Sequence, residues 1–589
     1  MTWAILGVNA ALLLISIPDY RVSIDSGYHI SLARWYAAHG SAWWDHINYG
    51  PGGRPNLQGP ALHVAIAILG KMLGGTADDF IASNAILGVA QWTAAILTVL
   101  YFARRLGGDL AAMFAVALLA GGVYASASFY VGIPSGWLFI SVPWAIYFFL
   151  EDRLVLTTLV ISAGCYMHLG GYMTAPVGVA IAAAMERRWR ALIKVGAAAA
   201  ILTAPYTVHF LSNLAWYRGR HGHEAVHIDV MIDLLAIAGA ILYFRHPARH
   251  RFLLAWALAP IAWLAQDYSR FVMQSALAGS VLGGLFLADM MSRIDRRRMR
   301  IAFAAVMVTL ATVFPLGPPN LAAEASWDAG IRFPRLLDWD RARAIAGVIA
   351  QNHLGGRLIS VYEHSFGPAI AVFTPVTVEK GHWVEVQPLH DPADDLPAEA
   401  KVYVIPLGPG DPVLATLANM GLIRVWGGTT DAAVITLEKP GDAKTVQPIF
   451  TRLIEDNAAW LGANAVNNQT PKLLRPSGLA AHRRTMDEQR FHAGRMEVAC
   501  LVYSHALEAE SPDSARGLRD MARGFGPMAS FLSDDDTAGF VSDARHHEFR
   551  ANIAALADAI RNAESNPLAA AGVGKAIDRL FGDYFGSAA

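Results

Sequence analysis

A carboxylate and a histidine stand one helical turn apart near the start of the chain, at Asp25 and His29. They follow an apolar segment, residues 3–17. A carboxylate beside a bilayer accepts a proton from a hydroxyl or amide, or holds a divalent cation that neutralises a phosphate leaving group. Asp is also a favoured helix N-cap, and the next residues, 28–38, are helical by pattern. Spacing alone leaves both interpretations of Asp25 open.

A second group of chemically capable residues lies at His223, Glu224 and His227. Two histidines four residues apart, with Glu after the first, match the zinc-protease pattern, because a helix puts both imidazoles on one face. The same three residues, together with Asp25, are a candidate ligand set for a divalent metal, Mn²⁺ or Mg²⁺. Mixed imidazole and carboxylate ligands suit Mn²⁺ or Zn²⁺ better than Mg²⁺. The third interpretation is a polar, solvated loop.

Arg270 stands at the end of an apolar segment, in the sequence Asp-Tyr-Ser-Arg-Phe. A guanidinium group fits phosphate oxygens, so this position suits a lipid phosphate. The alternative is an arginine that reaches the membrane surface without binding a ligand.

Composition identifies a membrane protein. Of 589 residues, 54% are hydrophobic and 16% are charged, whereas soluble domains carry about 25% charged residues. A net charge of −1 gives no support for a nucleic-acid partner. The two cysteines, Cys165 and Cys500, lie in segments of different character and predict no disulfide framework.

Apolar segments predict about eleven membrane spans, each needing about 20 residues with some shortfall allowed. Residues 61–73 are apolar but too short, so we expect an interfacial helix there. Arginine-rich loops alternate with arginine-poor ones, which places the N-terminus in the cytoplasm and residues 19–79 outside. The predicted spans are 3–17, 80–102, 110–125, 137–150, 154–166, 172–185, 192–210, 230–244, 252–264, 271–290 and 301–316.

The residues after the last span alternate helical and strand-like patterns and then become helical throughout. We predict a transmembrane domain over 1–316 that contains the first outer loop, 19–79. An extracytoplasmic α/β domain follows over 317–440, and a helical extracytoplasmic domain over 441–589. The predicted fold class is therefore an α-helical polytopic membrane protein with a C-terminal α/β domain and a helical tail.

The first loop resembles that of the GT-C superfamily of membrane glycosyltransferases, and most closely the catalytic subunit of oligosaccharyltransferases. The resemblance is carried by Asp-Ser-Gly-Tyr-His at 25–29, Trp-Asp at 44–45 and Tyr-Gly-Pro-Gly-Gly-Arg-Pro at 49–55. It implies that Asp25 is the catalytic carboxylate and that the second stretch leads into an interfacial helix. The second outer loop, 125–136, lacks the acidic metal ligand usual in the family.

The resemblance also implies an acceptor-binding motif in the outer domain, for which residues 360–367 are a degenerate match. The predicted substrate-binding residues are His29, Arg54, Arg270, Tyr362, Glu363 and His364.

These expectations combine into one functional prediction. The protein moves a sugar or oligosaccharide from a polyprenyl-(pyro)phosphate carrier to an extracytoplasmic glycan, lipid or protein acceptor, in a bacterial inner membrane. Two alternatives remain: a membrane zinc metalloprotease using His223, Glu224 and His227, and a non-catalytic GT-C-like protein. Transporters often contain internal repeats, and no repeat stands out here.

Overall fold

A computed structural model provides the structure of the protein. It describes residues 25–40, 43–121, 132, 134–217, 230–245, 250–261, 268–294, 296–313, 339–361, 366–379, 396–438, 443–464, 476–510, 512, 515, 518, 519 and 522. The predicted span at 3–17 lies outside these residues.

The described residues form two compact units. The first holds the described residues up to Trp44 and those from Pro55 to Val313, and the second holds Asp45–Arg54 and the described residues from Trp339 onward. Part of the first loop therefore groups with the C-terminal unit. Each unit has its own buried apolar core.

The first unit is helical. In its described part the helices are α1 (Asp25–His39), α2 (Ala61–Leu73), α3 (Ala77–Gly121), α4 (Pro134–Leu150), α5 (Leu154–Met167), α6 (Thr174–Glu186), α7 (Trp189–Ser212), α8 (Val230–Tyr243), α9 (Arg251–Leu258), α10 (Tyr268–Ser292) and α11 (Arg297–Val313). The largest buried side chains of its core include Phe102, Phe114, Phe149 and Trp256.

Among the described residues, three helices are long and apolar enough to cross a membrane: 77–120, 189–212 and 275–292. The first covers the predicted span 80–102 and most of the span 110–125, and it is interrupted at Gly108, whose φ of 78° is a left-handed conformation that favours glycine. Five further apolar helices are shorter. The count of about eleven spans stays a prediction.

A two-stranded ladder lies in the first loop: β1 (Trp44–Asp45) pairs with β2 (Arg54–Pro55). The second unit then contains a five-stranded sheet with its helices. They are α12 (Trp339–Gln351), β3 (Leu358–Val361), α13 (Phe366–Phe373), β4 (Thr377–Val378), β5 (Lys401–Ile405), α14 (Pro412–Asn419), β6 (Ile423–Gly428), β7 (Ala433–Leu437), α15 (Ala443–Asn464) and α16 (Pro476–Leu507).

The sheet has the order β4-β3-β5-β7-β6. Strand β3 is parallel to both β4 and β5, whereas β7 is antiparallel to β5 and β6. Asp411 caps α14, since its side chain accepts a hydrogen bond from the Val413 N–H and Pro412 occupies the first turn. The structure therefore contains the alternating helices and strands that the sequence predicts for this region.

Candidate active site in the first loop

Helix α1 begins at Asp25, the residue that the sequence singles out as the candidate catalytic carboxylate. The side chain of Asp25 lies outside the described residues. The residues that follow it, Ser26, Tyr28 and His29, are all buried. A solvated loop would leave such polar groups in water, so the first turn of α1 belongs to a folded polar interior.

His29 pairs with a second buried histidine on α2. The Nδ1 atom of His29 lies 2.9 Å from Nε2 of His63, and the ring of Tyr36 stacks near His63 at a centroid distance of 6.0 Å. His63 is fully buried, and its other ring nitrogen, Nδ1, has no hydrogen-bond partner among the described residues. Burial, reinforced by the nearby His29, holds the pKa of His63 well below its ordinary value, so the ring is neutral at pH 7.

Ser26 is held from a third helix. The Asn84 side chain on α3 donates a hydrogen bond from Nδ2 to the Ser26 hydroxyl at 3.2 Å. Asn84 is fully buried inside an apolar helix. Gly132, in the predicted second outer loop, lies so close that an added Cβ would stand 3.3 Å from Asn84 Oδ1. Two helices, α2 and α3, therefore fix the first turn of α1 through buried polar side chains.

Asp45 organises the loop after β1. One carboxylate oxygen accepts hydrogen bonds from the backbone N–H groups of Ile47 and Asn48, and the other accepts one from the Asn48 amide, all at 3.0 Å. Burial raises the pKa of Asp45, and the hydrogen bonds from Asn48 and Ile47 offset part of that rise. These contacts assign Asp45 a structural role as a turn former.

Arg54, one of the predicted substrate-binding residues, is also buried. Its guanidinium carbon lies 4.4 Å from the centre of the Tyr49 ring, a cation–π contact. The planar guanidinium group therefore lies against an aromatic ring. A lysine at this position would not reproduce that flat stacking.

The segment that contains these residues docks on the sheet of the second unit. The Gly50 N–H donates to the Val378 carbonyl at 2.7 Å, and the Val378 N–H donates to the Ile47 carbonyl at 2.6 Å. Strand β4 is the edge of the sheet, so residues 47–50 cover an edge that would otherwise be open. A Cβ at position 50 would collide with the side chains of Thr377 and Leu358, so glycine allows this close approach.

Helix α7 holds the next part of the loop. The Tyr206 hydroxyl donates to the Leu57 carbonyl at 2.6 Å, and His209 Nε2 lies 3.0 Å from the Asn56 carbonyl. The chain then enters α2, which spans the residues predicted for the interfacial helix. Its exposed apolar residues, Val64, Ile68 and Met72, are spaced by four and share one face.

The other predicted site residues are only partly described. Arg270 lies in the first turn of α10, but its side chain is outside the described residues. Tyr362, Glu363 and His364 fall between β3 and α13 and are outside them too. The same is true of the predicted metal ligands His223, Glu224 and His227.

No group of three or more His, Cys, Asp or Glu side chains suited to a metal occurs in the described part of the chain. The prediction of a divalent metal therefore stays a prediction, because its proposed ligands all have undescribed side chains.

His63 and Asn84 are absent from the residues that the sequence singles out. The sequence does contain a sign of each, because both are polar residues in apolar stretches. His63 interrupts an apolar helix, and Asn84 lies at the start of an apolar span. Such residues are rare in apolar helices and are usually functional or structural contacts.

No protein-family model matches the sequence, and no curated protein matches it. Solved structures that resemble it include the apo oligosaccharyltransferase of Archaeoglobus fulgidus, at 15% identity and a TM-score of 0.45, over 65% of each chain. The chain thus spans just under two thirds of that enzyme. The same enzyme with Zn and sulfate has 16% identity and a TM-score of 0.43, over 64% of this chain and 62% of that one.

ArnT from Cupriavidus metallidurans bound to undecaprenyl phosphate is a further similar structure. It has 14% identity and a TM-score of 0.48, over 74% of this chain and 97% of that chain. Oligosaccharyltransferase is also the class of enzyme that the first-loop residues resemble.

Proposed function

We propose that the protein is a membrane glycosyltransferase that takes a sugar from a polyprenyl-(pyro)phosphate carrier and attaches it to an extracytoplasmic acceptor. The observation that carries the proposal is the buried polar interior of the first loop. Ser26 and His29 on α1 and His63 on α2 are each buried. Burying polar groups costs stability unless they are hydrogen-bonded, and polar residues among apolar membrane helices usually have a functional role.

The proposed reaction is an inverting displacement. The acceptor oxygen or nitrogen forms a bond to the anomeric carbon of the sugar, and the bond from that carbon to the phosphate oxygen breaks. The polyprenyl (pyro)phosphate leaves with the bonding electron pair. Asp25 takes the acceptor proton as a general base, or it binds a divalent cation and the proton passes to water. A bound divalent cation would neutralise charge on the leaving phosphate.

The remaining predicted residues divide between donor and acceptor. Arg270 is proposed to contact the donor phosphate, with the lipid tail in the bilayer. In the sequence, Tyr362, Glu363 and His364 come directly after β3, whose carboxyl end lies beside that of the parallel strand β5. Ligands commonly bind at the carboxyl ends of parallel strands. We therefore propose that this edge of the sheet binds the acceptor.

Replacement of Asp25 tests the proposal. Membranes containing the full chain are supplied with undecaprenyl-phosphate-linked or pyrophosphate-linked radiolabelled sugars, and loss of label from the lipid fraction is measured. Asp25→Asn is expected to slow transfer by about 10²-fold or more, because the amide is neither a base nor a good cation ligand. Asp78→Asn is the matched control, since Asp78 is an exposed acid at the start of α3.

Undiminished transfer by Asp25→Asn, at wild-type amounts in the membrane, would refute the role of Asp25. Proteolysis that a chelator inhibits and that Glu224→Gln abolishes, without any sugar transfer, would instead identify a metalloprotease.

A further inference from the structure

The histidine pair of α1 and α2 has only two neutral arrangements. In one, His63 Nε2–H donates to His29 Nδ1, which leaves His29 with its proton on Nε2. In the other, His29 Nδ1–H donates to His63 Nε2, which leaves a proton on the His63 Nδ1 atom. The 2.9 Å separation suits either arrangement.

The buried surroundings of His63 distinguish the two. Its Nδ1 atom is buried and has no hydrogen-bond partner among the described residues. A buried N–H donor without an acceptor is rarer in proteins than an acceptor without a donor. The proton of a neutral histidine also prefers Nε2. Both arguments favour the arrangement in which each ring carries its proton on Nε2.

In that arrangement His29 becomes a neutral hydrogen-bond donor whose tautomer is fixed by its partner. The helix that carries it starts four residues earlier, at Asp25, and its first turn is also held by the bond from Asn84 to Ser26. Residues four apart on a helix are neighbours on its surface. The backbone N–H groups at the start of a helix favour a negative charge nearby. A side-chain donor one turn later, here His29, favours the same charge.

We propose that His63 is a positioning residue that fixes His29 as the Nε2–H donor to an anionic oxygen at the amino end of α1. The inference rests on the proposed glycosyltransferase function. The oxygen belongs either to the phosphate of the polyprenyl-linked donor or to the carboxylate at position 25. Either oxygen can accept a hydrogen bond from a neutral imidazole. That hydrogen bond is more favourable when the imidazole is held in one orientation.

Two substitutions of His63 separate this role from packing. The amide of His63→Gln places an N–H where Nε2–H stood, whereas His63→Met has similar bulk and no donor. The full-length variants are purified at equal folded amounts, judged by size-exclusion profile and melting temperature. Transfer from the undecaprenyl-linked sugar that wild type uses is expected to fall by about 10- to 100-fold in His63→Met. It is expected to stay within about fivefold of wild type in His63→Gln.

Kinetics and binding then identify the oxygen. If it is a phosphate oxygen, the Kd for undecaprenyl phosphate alone, followed by quenching of tryptophan fluorescence, rises in His63→Met but not in His63→Gln. If it is the carboxylate at position 25, kcat falls while this Kd is unchanged. His39→Met is the matched control, since His39 is an exposed histidine at the far end of the same helix.

Full transfer by His63→Met, or equal losses in both His63 variants, would overturn the inference while leaving the glycosyltransferase function intact. A wild-type protein that neither transfers sugar nor binds undecaprenyl phosphate would overturn both. Should His63→Met fail to fold, His29→Asn provides the test. Its amide keeps an acceptor near the former Nδ1 position and removes Nε2–H, so the same loss is expected, and full activity would refute the role of His63.

Discussion

Asp45 shows how a first-loop carboxylate acquires a structural role. It is buried, and its two oxygens accept three hydrogen bonds from Ile47 and Asn48. A carboxylate saturated in this way has little capacity left for a substrate or a cation. At the scale of single residues, contacts rather than residue type thus decide which acid is available for chemistry.

The Asp45–Asn48 pair gives a prediction of stability. Asp45→Asn keeps one oxygen for the two backbone N–H groups but turns an NH₂ group toward the Asn48 amide. Two donors then face each other, and we expect a loss of about 1–3 kcal/mol in the free energy of unfolding. The measurement is the melting temperature of the purified protein in detergent.

The reciprocal exchange, Asp45→Asn combined with Asn48→Asp, restores a donor opposite an acceptor. The melting temperature of this double variant should lie between those of Asp45→Asn and the wild type. An exchange that is less stable than Asp45→Asn would contradict the hydrogen-bond assignment.

At the scale of elements, α16 is anchored through a face that carries a buried acid. The helix packs on α15 and on β5, and its buried residues include Met496, Cys500 and Leu501. Glu497 lies among them, and its Oε2 atom has no hydrogen-bond partner in the described residues. Burial raises the pKa of Glu497 well above its ordinary value of 4.5, which keeps the folded carboxyl protonated at higher pH.

This burial predicts a pH dependence of stability. Below pH 4.5 both folded and unfolded states carry the proton. As pH rises above 4.5, the unfolded state loses it while the folded state keeps it, so stability falls until the folded pKa is passed. The slope for one proton is at most about 1.4 kcal/mol per pH unit. Glu497→Gln removes this term, so its melting temperature should rise relative to wild type between pH 5 and pH 8.

Glu488→Gln is the matched control, because Glu488 is exposed on the same helix. Its melting temperature should follow the wild-type pH curve. Parallel curves for Glu497→Gln and wild type would show that the Glu497 carboxyl does not carry the proposed proton.

At the scale of the whole molecule, the chain combines an apolar helical unit with a unit built around a sheet. In the described part of the chain, the helical unit contains three helices long enough to cross a membrane, and the second unit has a separate core. The arginine-rich loops include residues 187–190 and 293–300, each beside the end of an apolar helix. The positive-inside rule predicts that these loops face the cytoplasm and that the second unit faces the other side.

Reporter fusions in a bacterial host test that orientation. Alkaline phosphatase fused after residue 589 should be active, and green fluorescent protein fused there should be dark. Fusions after residue 190 should give the opposite pattern. Active phosphatase at both positions, or at neither, would contradict the predicted topology and remove the second unit from the side where the acceptor is expected.

Much of the secondary structure was predictable from the sequence. Residues 61–73 form the helix expected there, and helices and strands alternate in the described part of the predicted α/β region. Apolar periodicity and caps such as Asp411 encode these elements locally, within a few residues. The composition and the first-loop pattern likewise pointed to a membrane protein and a candidate carboxylate at Asp25 before any fold was known.

The tertiary structure decided which polar groups meet. His29 pairs with His63, 34 residues away, and Ser26 accepts from Asn84, 58 residues away. The segment 47–50 docks on Val378, far along the chain. No local period encodes such contacts, because they arise only when helices and strands pack and buried donors must find acceptors. For this reason the sequence predicts Asp25 as a candidate, whereas the residues that hold its helix in place emerge only from the fold.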